Sequence, residues 1–547
     1  MKKGLMALLG VVTFFTLTAV SASAAERDTL RVGLRYGSTA LFSANLENAV
    51  GQGYEFGYFE DGRDFVSLGW TEETCISMTA AGTIYVDDAG NYSSTGGREV
   101  MGPWHVQLDG TYDDYDLCAE DAWDLGGWPA YIDGEFVVRF GCYESRGEAE
   151  DALEDLGMDG SAVRSSSEVL FEFQNGWDLS LGVMPRAGRR EEPVTWFKGY
   201  KYKGGFEYVR PSGGDLRVIN VVDLEDYVKG VVPYEMNGDW PLAALEAQAV
   251  CARTFACRNT KHQSYDFDVC SGTCCQVYNG TNTATERSDE AVDNTEGECL
   301  YYNGALIEAV YHSSNGGATE DAENVWGGRV PYLVGKEDPY EELISIPNYN
   351  WSVTYTADQL TWILQQKNYD IGQVENVYVS AVTDMGNVSA VTFVDTKGKT
   401  LTVKGDAART VFYSSTYQKS VPSMRFTISG GEGGETVVVG GGSFYVNGSQ
   451  KLSTLEGAAA IATGGKKATL SGGDWYVITA DGVEKRSAGT VTRRVGVTSG
   501  SGDTFTITGS GSGHNVGLSQ YGARAMAEDG YSYDEILKFY YTDITIK

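Results

Sequence analysis

Positive charge and histidine are both scarce in this sequence of 547 residues. Lysine and arginine together number 42 against 75 acidic residues, which gives a formal net charge of −33. Such an acidic chain repels nucleic acid and other anionic polymers, so we expect neither as a bulk ligand. The chain has no His-rich catalytic metal motif, because its only histidines are His105, His262, His312 and His514. This scarcity disfavours a zinc enzyme that cuts peptide bonds.

Long apolar runs are also absent, except at the amino terminus. Met-Lys-Lys precedes an apolar run from Leu5 to Val20, and small residues follow at 21–25, which is the order of a secretory signal. We predict a signal peptide at residues 1–24, cleaved after Ala24 or retained as a membrane anchor. The protein is then expected to be secreted or attached to the cell wall. The rest of the chain is too long for one core, so we predict several domains.

The amino-terminal half changes its pattern near residue 128. Residues 25–127 consist of short alternating apolar runs broken by Gly, Asn and Asp, which predicts strands and turns. Residues 128–190 instead combine a strand at Glu135–Phe140, a capping box from Ser145 to Glu148, a helix through Leu156 and a further strand at Val169–Phe173. We therefore predict a separate α+β unit at 128–190.

The second half contains the firmest helix and one insertion. Pro241 and apolar residues at helical spacing predict a helix over 241–258. A glycine run and strand-like segments predict a β-rich insertion at 429–490, because a strand resumes at Phe505–Thr508. Another capping box, Ser532 to Glu535, opens a closing helix. The predicted class is α+β and multidomain, with mixed sheets, a few helices and one core at 191–428 and 491–547 that the insertion interrupts.

Several ordered motifs resemble the SpoIID/LytB family. They are Leu224-Glu-Asp-Tyr-Val-Lys-Gly-Val-Val-Pro-Tyr-Glu-Met236, Ala247-Gln-Ala-Val-Cys-Ala-Arg-Thr-Phe-Ala256, Gln276-Val-Tyr-Asn-Gly280, Tyr311-His-Ser-Ser-Asn-Gly-Gly317 and Gly513-His-Asn-Val-Gly-Leu-Ser-Gln-Tyr-Gly-Ala523. The resemblance implies a sporulation or cell-wall protein. SpoIID members are lytic transglycosylases on glycan strands stripped of peptides, whereas LytB members enhance amidases. Peptidoglycan glycan strands, and a cell-wall amidase, are the implied partners.

The segment 140–150, Phe-Gly-Cys-Tyr-Glu-Ser-Arg-Gly-Glu-Ala-Glu, resembles a SPOR repeat. That family binds glycan strands without peptides, so the resemblance implies a glycan-binding role for residues 128–190. An α+β spacer without any recognition role is the alternative.

Glu235 matches the catalytic glutamate of the SpoIID/LytB family. Cleavage of a glycosidic bond needs a proton donor, and a carboxylic acid with a raised pKa can supply it. The amino end of the helix at 241 would lower the pKa of Glu235, whereas burial would raise it. A hydrolase also needs a second carboxylate, for which Asp223, Glu225, Asp226 and Asp239 are close in sequence. A transglycosylase needs none, because the C6 hydroxyl of muramic acid attacks. Without the family motif, Glu235 would be read as a solvated loop or cap residue.

Six further residues are candidates for substrate binding. Arg253, which matches the family's Ala-Arg-Thr, could hold the lactyl carboxylate of denuded muramic acid, or could serve only as an ion-pair partner. His514, Gln520 and Tyr521 lie among glycines, which allow a ligand close to the backbone, although a turn leading into a helix is the alternative. Ser313 and Ser314 are candidates of the same kind, with a structural turn as the alternative.

Four of the potential metal ligands are close together in sequence. They are His262, Cys270, Cys274 and Cys275. Thiolate and imidazole in a loop are typical of zinc, and extended neighbours point in opposite directions, so one of Cys274 and Cys275 suffices. Some SpoIID members hold zinc by one His and two Cys just before their Gln-Val-Tyr, and this resemblance favours His262, Cys270 and Cys275. We expect a structural zinc, with a disulfide or inert thiols as the alternatives.

Overall fold

The computed structural model describes residues 28–547 except 61–62, 81, 90, 98, 165–169, 175–179, 212–213, 260, 431–443, 447–449, 453, 456–457, 464–465, 471–474, 480–481 and 487–503. Helices and several small sheets occur along this part of the chain, which confirms the predicted α+β, multidomain class. The predicted signal peptide at 1–24 lies outside the described residues. Within them, the helices are all too short or too polar to span a bilayer.

The amino-terminal segment forms strands β1 to β8. They are Thr29–Arg35, Ser43–Val50, Tyr54–Phe59, Phe65–Thr71, Cys75–Thr79, Ile84–Val86, Tyr92–Ser93 and Glu99–Met101. Apolar side chains alternate along β1, where Leu30, Val32 and Leu34 are buried. This period of two is what forms a strand with a buried face.

The α+β unit that follows is larger than predicted. It contains β9 (Trp104–Leu108), α1 (Tyr115–Asp124), β10 (Trp128–Ile132), β11 (Glu135–Tyr143), α2 (Arg146–Leu156), β12 (Gly160–Arg164) and β13 (Glu172–Gln174). Its sheet has the order β12-β9-β11-β10-β13. The capping box between Ser145 and Glu148 is present at the start of α2. Because β9 lies in the middle of this sheet, the unit begins at residue 104 and not at 128.

The next segment contains most of the family motifs. Its elements are β14 (Leu181–Pro185), β15 (Val194–Phe197), β16 (Tyr200–Tyr202), β17 (Gly205–Val209), β18 (Arg217–Asp223), α3 (Leu224–Glu235), α4 (Leu242–Arg258), β19 (Val269–Cys270), α5 (Glu286–Asn294), β20 (Leu300–Tyr302), β21 (Ala305–Leu306), β22 (Tyr311–His312) and α6 (Ala322–Trp326). Helix α4 confirms the helix predicted over 241–258.

A seven-stranded sheet joins the amino terminus to this segment. Its order is β19-β1-β18-β17-β14-β3-β4, and β1 pairs antiparallel with β18, with Leu30 opposite Val222. Leu30, Tyr227 and Leu245 belong to one hydrophobic core, here called the main core. The predicted boundaries between 25–127, 128–190 and 191–428 therefore do not divide the core, because strands from the first and last of these segments share one sheet. Pairing between strands so far apart in sequence leaves no local signal from which to predict it.

A second core lies within the segment that was predicted to be a single unit. Its elements are β23 (Asn350–Thr356), α7 (Ala357–Gln366), β24 (Val374–Val382), β25 (Val388–Asp395), β26 (Thr400–Lys404), α8 (Ala407–Thr410) and β27 (Phe426–Ser429). These elements, together with a later strand at 504–510, pack around Phe393 and Phe412. We call residues 350–429 and 504–510 the inserted module.

Hairpins interrupt the inserted module, and the chain then returns to the main core. The hairpin strands β28 to β34 are Phe444–Val446, Gln450–Leu452, Thr454–Leu455, Ala458–Thr463, Lys466–Leu470, Trp475–Thr479 and Gly482–Arg486. The remaining elements are β35 (Thr504–Ser510), β36 (Leu518–Ser519), α9 (Gln520–Glu528), α10 (Tyr533–Tyr540) and β37 (Thr545–Ile546). Strands β27 and β35 pair antiparallel, so the segment between them leaves and re-enters one sheet.

Candidate active site around Glu235

Glu235 is the last residue of helix α3. The helix begins behind Asp223, whose side chain accepts from the backbone N–H groups of Glu225 and Asp226. Pro233 lies in its last turn, where a proline would ordinarily interrupt a helix. The carboxyl end of a helix carries partial negative charge and favours the protonated form of an acid. From the sequence, only the amino end of the helix at 241 was expected near Glu235, because α3 was not predicted.

The carboxyl group of Glu235 is held by three hydrogen-bond donors. The backbone N–H of Val277 donates to Oε1 at 3.0 Å, and Nε2 of Gln520 lies 3.5 Å from Oε2. The Tyr311 hydroxyl is the third donor. Burial raises the pKa of Glu235, and these three hydrogen bonds oppose the rise without cancelling it. Glu235 is only partly buried, so the carboxyl group remains in reach of a ligand.

Two buried hydrogen bonds, which we call the relay, set the direction of the Tyr311 hydrogen bond. The hydroxyl of Tyr227 donates to Oε1 of Gln276 at 3.1 Å, which fixes the orientation of the Gln276 amide. Nε2 of Gln276 then donates to the Tyr311 oxygen at 3.2 Å. Because that oxygen accepts from Gln276, the Tyr311 proton is available for Glu235.

Gln520 and Tyr521 approach Glu235 from the start of helix α9. Besides its contact with Glu235, Nε2 of Gln520 donates to Gln248 Oε1 at 3.2 Å. The ring of Tyr521 packs against Trp240, with the ring centroids 4.9 Å apart. The guanidinium of Arg524 lies 5.3 Å from the centroid of the Trp240 ring. Two aromatic rings and one cation thus pack together beside Gln520, which contacts Glu235.

The buried carboxylate of Glu341 anchors the start of α9. It accepts from the Ser314 hydroxyl at 2.8 Å, from the Asn315 and Gly316 backbone N–H groups at 2.7 and 2.9 Å, and from the Ser519 hydroxyl at 2.5 Å. Ser519 is the N-cap of α9, directly before Gln520. Ser314 is 1% exposed, and its hydroxyl already donates to Glu341. The structure therefore gives Ser314 a structural role and not the predicted contact with sugar.

The backbone of Ser313 supports Tyr521. The Ser313 carbonyl accepts from the Tyr521 N–H at 3.0 Å and from the Ser519 hydroxyl at 3.4 Å. Nearby, Gly517 has φ +72 and a side chain there would collide with the Val310 carbonyl, so the chain needs a glycine where it enters β36. Ser313 therefore lies at the edge of the site, next to two of the predicted sugar-binding residues.

His514 lies apart from Glu235. Its ring packs against His312 at 5.4 Å and against Trp326 at 5.1 Å. His312 follows Tyr311 in strand β22, where neighbouring side chains point to opposite faces, so His514 is on the side of the strand opposite to Glu235. Burial, followed by the charge of Arg409, lowers the pKa of His514 to about 4. The prediction that His514 joins the same sugar site is not met.

Arg253 is fully enclosed by protein. It is 0% exposed, and its guanidinium pairs with both carboxylate oxygens of Glu225, at 2.7 and 2.5 Å. Nη1 of Arg253 also donates to the carbonyl of Glu298 at 3.1 Å. The predicted contact between Arg253 and a glycan carboxylate is therefore contradicted, because Arg253 faces inward and α5 covers the polar side of α4.

The carboxylates near Glu235 in sequence are not its neighbours in space, with one exception. Asp223, Glu225 and Asp226 occupy the opposite end of α3, about 13 to 18 Å away along the helix axis. Glu225 is paired with Arg253, and Asp226 with Lys203 at 2.9 Å. Paired glycosidase carboxylates stand about 5 to 9.5 Å apart. Only Asp239, exposed in the turn before α4, lies at the same end of the helix as Glu235.

The four predicted metal-ligand candidates form one cluster. The ligand atoms of His262, Cys270, Cys274 and Cys275 all lie within 4.8 Å of one another. Sγ of Cys274 is 3.3 Å from His262 Nε2 and 3.5 Å from Cys270 Sγ. Three thiolates and one imidazole fit a closed tetrahedral zinc site. Cys274 joins the predicted Cys275 in the cluster, because residues 271–275 form a turn in which the Cys275 N–H donates to the Gly272 carbonyl.

The metal-ligand cluster is continuous with the Glu235 site. Asn259 Nδ2 donates to Cys275 Sγ at 3.3 Å, and the ring of Phe267 stacks on His262 at 5.1 Å. Gln276 and Val277, which orient Tyr311 and Glu235, directly follow Cys275. Sequence reasoning did not assign Gln276 or Tyr311 to the site, although both are within the quoted motifs.

Comparisons with known proteins agree with the motifs. Residues 212–302 match the family model SpoIID, Stage II sporulation protein. The Amidase enhancer of Bacillus subtilis strain 168 is 33% identical over 324 residues, which are 58% of this chain and 40% of that protein. The Stage II sporulation protein D of the same strain is 29% identical over 336 residues, 58% of this chain and 73% of that protein. An uncharacterized protein of Brachyspira hyodysenteriae is 29% identical over 383 residues, 69% and 76% of the two chains.

Proposed function

Because this chain belongs to the SpoIID/LytB family of sporulation and cell-wall proteins, we propose that it cleaves peptidoglycan glycan strands as a lytic transglycosylase with Glu235 as acid and base. The observation that carries the proposal is the Glu235 carboxyl group itself. It is partly buried and has a raised pKa, and its neighbour Gln520 directly precedes Tyr521, whose ring packs against Trp240.

In the proposed reaction, Glu235 acts twice. Oε1 accepts from Val277, so Oε2 has the capacity to carry the proton. The acid donates this proton to the glycosidic oxygen as the bond from the anomeric carbon to that oxygen breaks. The C6 hydroxyl of the same muramic acid forms the new bond to the anomeric carbon and gives its proton to the Glu235 carboxylate. The products are a 1,6-anhydromuramic end and a free hydroxyl on the leaving sugar, and the acid is restored.

The positions of the other carboxylates support this single-acid route. An inverting or retaining hydrolase needs a second carboxylate at a fixed distance from the first. Asp223, Glu225 and Asp226 are at the far end of α3, and two of them are committed to ion pairs. Asp239 is the one sequence neighbour at the Glu235 end of α3, and it is exposed in the turn before α4. The intramolecular attack needs one carboxyl group only, because the nucleophile belongs to the substrate.

The candidate site also contains a cation that can bind a glycan strand without peptides. Removal of the peptide exposes the lactyl carboxylate, which an arginine fork can bind. We assign this role to Arg524, which is partly exposed beside Trp240 and Tyr521, in place of the buried Arg253. Arg524 also pairs with Glu528 at 2.7 Å, and that exposed pair is weak enough to rearrange.

The same proposal includes a structural zinc and an extracellular location. His262, Cys270, Cys274 and Cys275 would hold the ion, whose role is to stabilise the loop that carries Gln276 and Val277. The predicted signal at residues 1–24 supports export to the cell wall.

A second candidate function is favoured by one comparison. The relative named Amidase enhancer is 33% identical over the aligned region. In that case the same groove would bind glycan without cutting it, and the protein would stimulate a cell-wall amidase. Glu235 would then contact sugar but transfer no proton.

Mass spectrometry of amidase-treated glycan strands after incubation with the protein separates the two functions. The wild-type chain should release fragments with 1,6-anhydromuramic ends. Glu235→Gln should reduce release by roughly 100-fold or more while glycan binding survives, because the amide keeps the size but cannot donate the proton. Glu290→Gln, an exposed change on α5, is the matched control. Wild-type protein that binds strands and stimulates an amidase but releases no fragments would overturn the transglycosylase in favour of the enhancer.

A further inference from the structure

The sheet β23-β35-β27 of the inserted module has two chemically different faces. Val353, Tyr355 and Ile507 point into the second core. Alternation along the strands places the intervening residues on the opposite face. That face consists of three rows across the three strands, which are Asn350, Ser510 and Arg425 in the first row, Ser352, Thr508 and Thr427 in the second, and Thr354, Thr506 and Ser429 in the third.

Hydroxyl groups dominate this surface, which we call the hydroxyl face. Seven of its nine residues are serine or threonine, and none is acidic, although the chain carries 75 acidic residues. The hydroxyl oxygens of Thr354 and Thr506 are 3.0 Å apart, and those of Thr427 and Thr508 are 3.1 Å apart. These cross-strand contacts keep the side chains in a regular array.

A shallow cavity covers the first two rows. Its volume is about 590 Å³, and Asn350, Ser352, Arg425, Thr427, Thr508 and Ser510 contribute to its lining. Asn350, Ser352, Thr427 and Thr508 are exposed to solvent. The volume falls in the range of small-ligand sites, which is about 300 to 1,000 Å³.

The chemistry of the hydroxyl face fits a sugar. Each hydroxyl both donates and accepts, and the Asn350 amide does the same, which complements the hydroxyl and acetamido groups of an amino sugar. The single cation of the face, Arg425, keeps its charge and donates to the Met385 carbonyl at 2.8 Å, whereas the other eight residues of the face are uncharged. The seven hydroxyl groups and the Asn350 amide therefore match a ligand with many hydroxyl groups.

The hydroxyl face is joined to the loop that supports the Glu235 site. The Ser510 hydroxyl donates to the Gly316 carbonyl at 3.2 Å, and the Gly316 N–H donates to Glu341. Glu341 in turn holds Ser519 at the start of α9. The first row therefore contacts the segment that positions Gln520 and Tyr521.

We propose that the hydroxyl face is a second carbohydrate-binding site, which takes an uncharged amino-sugar oligosaccharide lying across its first two rows. The choice of an amino sugar rests on the proposed function, whereas the site itself does not. Its ligand contacts are hydrogen bonds from Asn350, Ser352, Thr427 and Thr508, and they are separate from the proton transfer at Glu235.

Calorimetric titration of the full chain carrying Glu235→Gln with the hexamer of N-acetylglucosamine tests the proposal. The parent should bind two oligomers per chain. Thr508→Glu should weaken the binding event at the hydroxyl face by roughly ten-fold or more, because it puts a charged side chain in the middle of the cavity. Thr504→Glu is the matched control, since it is exposed on the same strand and face but outside the cavity, and it should change affinity by less than about two-fold. Ser352→Glu repeats the test on a neighbouring strand, in case Thr508→Glu does not fold.

The outcomes also distinguish the two sites. Trp240→Ala should remove only the binding event at the Glu235 groove. Unchanged affinity in both Thr508→Glu and Ser352→Glu, or a parent that binds one hexamer that Trp240→Ala abolishes, would overturn the second site. A parent that does not bind the hexamer at all would overturn it as well. Binding that depends on Thr508, in a wild-type chain that releases no glycan fragments, would support the hydroxyl face and refute the transglycosylase.

Discussion

The backbone N–H of Val277 donates to Oε1 of Glu235 at 3.0 Å, although the two residues are 42 positions apart in the chain. Val277 follows the metal-ligand candidate Cys275 by two residues, and Gln276 between them orients Tyr311. The loop that holds the metal-ligand candidates therefore also holds Val277, which donates to Glu235, and Gln276, which orients the Tyr311 hydroxyl.

Loss of one cluster ligand should affect both the metal and the acid. We expect about one zinc per wild-type chain, and Cys274→Ser should lose most of it, because a closed site needs all four ligands. Glycan cleavage should fall too, since Val277 and Gln276 lose their support. Metal analysis and the fragment assay give the two readouts, and Cys75→Ser, an exposed cysteine elsewhere, is the control. Zinc retained in full by Cys274→Ser would mean that three ligands suffice, as the sequence alone had indicated.

The pH dependence of cleavage should report the raised pKa of Glu235. Its ordinary value is about 4.5, and burial moves the pKa upward. The protonated form is the working acid, so activity should be lost as pH rises through the raised pKa. The descending limb of the pH profile should therefore lie above pH 4.5. Cleavage activity that stays constant as the pH rises above 4.5 would mean that Glu235 does not supply the proton.

Removal of the Tyr311 hydroxyl should shift that limb further. The Tyr311 hydrogen bond lowers the pKa of Glu235, so Tyr311→Phe should move the descending limb to higher pH. The pH profile measures this shift apart from any general loss of activity. Tyr413→Phe, which changes a tyrosine that is 56% exposed, should leave the profile in place. An unchanged limb in Tyr311→Phe would show that the relay does not act on Glu235.

Arg253→Lys should reduce stability and not substrate selectivity. Lysine cannot keep both contacts with Glu225, and breaking a buried pair costs about 3 kcal/mol in the free energy of unfolding. Arg146→Lys changes an exposed pair with Glu150 and should cost less than about 1 kcal/mol. Chemical denaturation measures both. Selective loss of binding to denuded strands, with stability unchanged, would restore Arg253 as a glycan ligand.

Local sequence signals predicted the local structure well. Pro241 and the apolar spacing located α4, and serine followed by glutamate three residues later located the starts of α2 and α10. Helix α3 was not predicted, because a proline such as Pro233 ordinarily interrupts a helix. Glu235 was identified from the family motif, and the predicted rise of its pKa through burial agrees with the structure, whereas its place at the carboxyl end of α3 was not foreseen.

Contacts between distant segments were not predictable in the same way. Arg253 matched a motif, but its partner Glu225 and its enclosure by α5 exist only in the folded chain. The inclusion of both Cys274 and Cys275 depends on a turn that periodicity does not indicate. Residues 128–190 stay a predicted SPOR-like unit, since a sheet that includes β9 changes the boundary of the unit but does not test its ligand.

The pairing of β1 with β18 also has a kinetic consequence. Thr29 lies opposite Asp223, so nearly two hundred residues separate the partners, and the unit from β9 to β13 lies between them. Closing such a long loop costs entropy before any contact is gained, and topologies of this kind fold slowly. The unit from β9 to β13 can pair its own strands in the meantime. Until residues 217–223 arrive, β1 is an unpaired strand with an apolar face, which makes the early chain prone to aggregation and a client for chaperones.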